Sequence, residues 1–383
     1  GTKNGDVTIT QGSGADNFTP TNGVAATART ADVTGLLVDD ITVNAEAVFA
    51  DGKTITGGGN VALTNLAGDA AADLSSITNT GTRTLAVSND VTFTGDLGTF
   101  TTTVASGKTL TGDVAKLQGE TINGAGTTAI TDLDTDLDAD LSNITSTAVT
   151  ATFNADGTFT GDLGTANVTI ATGKTLTTTN AIATGVTIAG GTLTISDNVA
   201  ADTDLSNVTS TVSFGANTTV ASTKTLTMTA AAADGNSFVN SGTVVISAST
   251  GAQSTTVTGG VVKATMGAGN DTLILGAAEN VTAADEIALG ADTDEVQITA
   301  DNGTTGAVFD DAGDDWETLT VGAGSTASHN AKVTINHGSA ETNARTIDAS
   351  GMSNASADFT LALGSVTNTD GVMTVKGSAG ANV

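Results

Sequence analysis

The chain has 383 residues, 41 Asp plus Glu against 12 Lys plus Arg, a formal net charge of -29, no cysteine and 3% aromatic residues. Those totals exclude disulfides, thiol catalysis and thiolate metal sites, oppose nucleic-acid binding, and leave too few large side chains for a wide globular core. Thr, Ala, Gly, Val and Asp dominate, which suits a narrow core of stacked strands, and so acidic a chain calls for salty surroundings or bound divalent cations.

In chain order, the first distinctive word is Gln11-Gly12-Ser13-Gly14-Ala15-Asp16-Asn17-Phe18, two glycines and an aspartate before an apolar anchor. From there the text repeats. DLSSIT, DLSNIT and DLSNVT begin at Asp73, Asp140 and Asp204, and FTGDLGT occupies 93–99 and 159–165. GKTIT begins at Gly52, GKTLT at Gly107 and Gly173, and a variant, STKTLT, carries Lys224. A cassette of about 66 residues has been copied, the last copy shorter. Between these words small polar and apolar residues alternate and break at Gly, Asn or Asp, the grammar of strands and turns. The spacing predicts an all-β chain, with one weak helical stretch, NVTAADEIA, near 280. A cassette divides into about three coils of roughly 20 to 22 residues, so a β-solenoid (parallel β-helix-like) is expected, with Thr and Val ladders as its core. A string of Ig-like sandwiches is the competing architecture.

Several words invite chemistry and fail its requirements. A phosphate-binding loop needs a glycine five residues before GKT; Ala47, Thr102 and Val168 stand there. The run DLDTDLDADLSN sets Asp132, Asp134, Asp136, Asp138 and Asp140 on one face if it is a strand, leaving a solvated acidic turn or edge and a loose calcium site as alternatives. It is not an EF-hand, because Ala139 and Thr145 replace the required glycine and glutamate. His329 and His337 stand too far apart to clasp one ion, no G-x-S-x-G elbow occurs, and no enzymatic activity is expected. N-x-T words at Asn143, Asn167 and Asn207 are glycan acceptors by sequence only. No run of 18 apolar residues is present, so no membrane-spanning helix is expected; the start at Gly1 reads as a mature product or a fragment.

Beyond about 250 the cassette words vanish. The expected division is 1–255, a Thr/Gly-rich solenoid, and 256–383, a second β domain continuing in a longer parent chain. Here Met266-Gly267-Ala268-Gly269-Asn270-Asp271-Thr272-Leu273 and, 23 residues on, Leu289-Gly290-Ala291-Asp292-Thr293-Asp294-Glu295-Val296 share the frame of Gln11–Phe18. That frame approximates G-G-x-G-x-D-x-U-x, in which glycines allow a tight turn and offer carbonyls, aspartate supplies charge, and U anchors a strand; such repeats bind calcium. The copies stand singly rather than as consecutive nonapeptides.

The words GAGNDTLILG, ALGADTDEVQI, WETLTV, TIDASGM and KGSAGANV together resemble RTX-type bacterial surface-layer proteins of the Caulobacter-like kind. The resemblance implies a secreted, extracellular chain that folds on meeting calcium and packs as a homo-oligomeric lattice or filament on the cell surface. It covers about residues 260 to 383. The resulting expectation is a structural subunit of a self-assembling layer with Ca2+ as structural ion. The ligands expected are Asp16, Asp271, Asp292 and Asp294, with carbonyls of Gly12, Gly14, Gly267, Gly269 and Gly290; a cell-surface polysaccharide or lipopolysaccharide is a further expected partner. An adhesin stalk or extracellular binding module is the alternative.

Overall fold

The structure, a computed structural model, describes Asn17–Phe18 and residues 42–215, 218–276, 285–291, 293–298, 307–309, 318–321, 331–335, 345–350, 359–363 and 373–377. Among the described residues the chain is all-β, 52% strand and 9% helix, and winds as a parallel β-solenoid of about 13 turns. Two compact units divide it, residues 1–176 and 177–383. The ladders are built of parallel strand pairs, which rules out antiparallel sandwiches.

In the first unit one ladder joins Thr42–Glu46, Asn60–Thr64, Arg83–Val87, Thr101–Val104 and Ile122–Gly124. A second joins Val91–Phe93, Thr109–Asp113, Thr127–Thr131, Ala148–Phe153 and the start of Asn167–Thr178. Partners within these two ladders lie 17 to 22 residues apart, as in Leu85 with Thr102 and Val61 with Arg83. The first copy's strands 42–46, 60–64 and 83–87 belong to the first ladder, whereas their counterparts one cassette later, 109–113, 127–131 and 148–153, belong to the second. The first cassette therefore does not close on a whole number of coils, and the second copy starts on a different face from the first.

The alternation assigns the faces. Val61, Leu63, Leu85, Val87 and Val104 point inward in the first ladder, and Phe93, Leu110, Ile130, Val149 and Phe153 in the second, all buried. Thr84, Thr92, Thr103 and Thr150 point outward. The core is thus Leu, Ile, Val and Phe rather than the expected Thr and Val ladders, because in Thr-x-Thr text the hydroxyl takes the wet face and leaves the apolar neighbour inside. Thr102 and Thr128 are exceptions; Thr128 Oγ1 hydrogen-bonds Ser146 Oγ at 2.7 Å.

In the second unit one ladder runs through Thr203–Leu205, Thr225–Thr229, Thr243–Ser247 and Val261–Ala268 to Glu286–Ala291. Another carries the inward series Thr255, Leu273, Val296, Leu319 and Ile347. The compositional change near 255 falls inside the strand Ser254–Thr258. The helical expectation near 280 is corrected where it is described: residues 286–288 lie in the strand Glu286–Ala291. Pairing with Lys263–Ala268 on the coil before overrides local propensity there.

Two corrections concern the repeated words. Gly52 follows the helix Ala47–Ala50 and donates to Asp73 O at 2.9 Å, as Gly119 follows the helix Val114–Leu117 and donates to Asp140 O at 2.7 Å. GKTIT at 52 is therefore the counterpart of GETIN at 119, not of GKTLT at 107 and 173. The acidic run is no strand either: Leu133–Thr135 is a 3-10 turn entered by Asp132 at φ 54°, with Leu133, Ala139 and Leu141 buried and Thr135 exposed.

Ahead of the KTLT strands the chain turns through left-handed backbone, at φ 69° for Gly107 and 74° for Gly173; in the variant word Thr223 holds that place at φ 66°. A β-branched residue there is strained by about 1 to 2 kcal/mol. Thr223→Gly is expected to stabilise the protein by about 1 kcal/mol in urea unfolding, net of the glycine's extra entropy; an unchanged or lowered midpoint would show that the turn is not strained.

Candidate functional site

At the corners of a solenoid strand pairing stops, and backbone N–H groups there still need acceptors. Side-chain carboxylates of neighbouring coils supply them. In the first unit Asp51 Oδ1 accepts from Asp73 N at 2.9 Å, Asp90 from Thr109 N at 2.9 Å and Asp156 from Thr175 N at 2.7 Å. In the second, Asp202 accepts from Thr225 N at 2.9 Å and Asp234 from Ser254 N at 2.7 Å. All five reach forward, to the following coil.

The cassette words are a second corner device. Asp73, Asp140 and Asp204 accept from the amide two residues on, in Ser75, Ser142 and Ser206. Asp96 and Asp162 do the same with Gly98 and Gly164. Asp73 bridges to Asp96, and Asp140 to Asp162, so DLS and DLG are one corner on consecutive coils. Hydrogen bonds from Ser75 and Ser142 hold the Asp73 and Asp140 carboxyls below the usual carboxylate range. In the acidic run, Asp132 Oδ1 accepts from Asn154 Nδ2 at 3.0 Å and Asp134 Oδ1 from Asn154 N at 2.6 Å. Burial, then a hydrogen bond with Asp138, raises the Asp136 carboxyl.

The two glycine–aspartate words after 260 meet at a third kind of corner. One coil here is 23 residues, equal to the interval between the words, so the copies stack although they stand apart in sequence. Gly267 pairs with Gly290 and Ala268 with Ala291. A Cβ on Gly290 would sit 1.9 Å from Gly267 O, and one on Gly269 2.4 Å from the Gly251 carbonyl carbon; only glycine lets the coils approach this closely. Asp271 and Asp294 are 1% and 0% exposed. Asp294 Oδ1 accepts from Asp271 N, and Asp271 Oδ1 from Gln253 N, both at 2.8 Å. Unlike the five forward-reaching aspartates above, these reach backward, to the preceding coil, as do Asp285, which accepts from Val262 N at 2.7 Å, and, earlier in the chain, Asp197, which accepts from Asn180 N at 2.8 Å.

The structure thus brings together Gly267, Gly269, Asp271, Gly290 and Asp294. Gly12, Gly14, Asp16, Asp292, His329 and His337 lie outside the described residues. Sequence reading missed one layer: Ser249 pairs with Gly267, and Gln253 meets Asp271, so Ser249-Thr250-Gly251-Ala252-Gln253 is a degenerate copy of the same frame. Only Gly251 could have signalled it. The corner's donors are all oxygens, carboxylate, carbonyl and amide, a set suited to a hard divalent cation. Among the described residues no group of three or more Asp, Glu, His or Cys is placed to hold a metal ion. Comparison of the chain with family models, with curated proteins and with solved structures returns no match.

Two expectations test these corners. Gly290→Ala, with its Cβ driven into Gly267 O and its φ of 110°, is expected to cost on the order of 3 kcal/mol. Gly107→Ala meets nothing within 4 Å and is expected to cost about 1 kcal/mol from φ alone; equal losses in denaturant titration would show that coil contact is not what requires glycine.

Glu120 is half-buried, and its carboxyl is pushed up to about 7, first by burial and then by the Asp96 carboxylate. Its ordinary value is 4.5, so between 4.5 and about 7 the folded state binds more protons than the unfolded chain, and stability falls as pH rises through that window. Glu120→Gln should therefore match the parent Tm near about pH 4 and exceed it by a few degrees at about pH 8. A Tm difference that does not grow with pH would refute the shift.

Proposed function

We propose that this chain is a non-enzymatic structural subunit of an extracellular, self-assembling surface layer or filament, in which calcium stabilises the folded solenoid. The observation that carries the reading is the stacking of the two glycine–aspartate corners, Gly267 to Asp271 on Gly290 to Asp294, with buried carboxylates on consecutive coils. A net charge of -29 adds a reason for divalent cations, since each bound ion offsets two negative charges. The resemblance of these words to RTX-type surface-layer proteins supports the same conclusion, and a cell-surface polysaccharide or lipopolysaccharide is a proposed partner.

The mechanism is mass action. Extracellular modules bind calcium at about 0.1 to 1 mM, so at about 1 mM outside the cell a site with a constant near 0.1 mM adds about 1.4 kcal/mol. Several such sites tip a marginal chain into its fold after export, while the far lower free calcium inside leaves it unfolded.

Thermal melts in calcium and in EGTA, with negative-stain microscopy of both samples, test this. A Tm several degrees higher in calcium, with sheets or filaments seen only there, is the expected outcome. Equal melting would remove the calcium role. Monomers in calcium would favour an adhesin stalk.

A further inference from the structure

The degenerate layer beneath the two recognisable words carries an additional inference, which rests on the calcium reading above. Gln253 is 7% exposed, and Oε1 of its side chain has no hydrogen-bond partner. Its Nε2 donates to Thr250 O at 3.0 Å, which fixes the amide and leaves Oε1 on its other side. The same residue's backbone N–H is bound by Asp271 Oδ1 at 2.8 Å, so the amide is rooted beside the Asp271 carboxylate. Ser249 Oγ, one coil below Gly267 in the glycine column, is likewise buried with no partner. A buried amide oxygen left without a donor loses its hydration for nothing in return, and such sites occur where a ligand completes them.

We infer that Gln253 Oε1 is a ligand of a divalent cation held at this corner, with Ser249 Oγ as a second neutral oxygen, so that the site extends one coil below the glycine–aspartate words. Calcium takes six to eight oxygens and accepts amide carbonyls alongside carboxylates, and the number of charged ligands tunes its affinity. Gln253 stands where Asp271 and Asp294 stand on the next two coils. It supplies oxygen without charge, which spares a third buried carboxylate in one column and sets a weaker affinity at the column's lower end.

The test is calcium titration of the full chain by competition with a fluorescent chelator, comparing the parent with Gln253→Glu, Gln253→Leu and Ser249→Ala. Gln253→Glu, which adds charge at the same oxygen, is expected to tighten half-saturation about tenfold, and Gln253→Leu to weaken it about tenfold. Ser249→Ala, a small change that guards against a Leu variant that does not fold, is expected to weaken it a few-fold. If the parent binds calcium and every folded variant keeps its midpoint, the lower layer is not part of the site, although the calcium reading stands. If the parent binds no calcium, both fall together.

Discussion

Coils about 4.8 Å apart must satisfy one another's backbone at every corner, not only along the strands. That requirement sets much of the rest. Where the chain bends away from a ladder, an aspartate of an adjacent coil takes the stranded N–H, as Asp90 does for Thr109 and Asp294 for Asp271. Where two coils must touch, a side chain cannot intervene, so Gly267 and Gly290 stack. The richness in Asp and Gly that gives this chain its acidity and its turns is in good part corner chemistry, and the cations proposed for it act on carboxylates that the backbone has already fixed in place.

Those carboxylates reach in both directions along the chain, and Asp197 already bonds back to Asn180. Asp51, Asp90, Asp156, Asp202 and Asp234 bond forward to the next coil, whereas Asp271, Asp285 and Asp294 bond back. Asp271 and Asp294 face successive coils in one column and are buried. Repulsion between them is what a divalent ion would relieve, and Gln253 marks where the column of charge stops.

The solenoid was legible because its signal is redundant: Leu74 and Leu141 recur with their DLS corners, and period-2 alternation survives in each strand. Other features were hidden by short-range look-alikes. GKT at 52 and at 107 read alike but serve different corners, since three letters cannot report whether a helix precedes them. The aspartate row in 132–140 has the period of a strand, yet left-handed Asp132 and the 3-10 turn Leu133–Thr135 break the extended path, and Thr135 is exposed between the buried Leu133 and Ala139. At the candidate site, Gly267, Asp271, Gly290 and Asp294 were found by motif, and their stacking followed from a coil length that sequence does not print. Ser249 and Gln253 escaped because neither matches the motif's chemistry; only register identifies them.

The mismatch between cassette and coil has a consequence for how such a protein grows. In the first unit the second copy is turned about the coil axis relative to the first, so the identical word FTGDLGT falls on different sides at 93–99 and at 159–165. Copying has not built a one-sided stripe here; it sets the same decoration on two sides, and a neighbour that recognises the cassette would meet it in more than one direction.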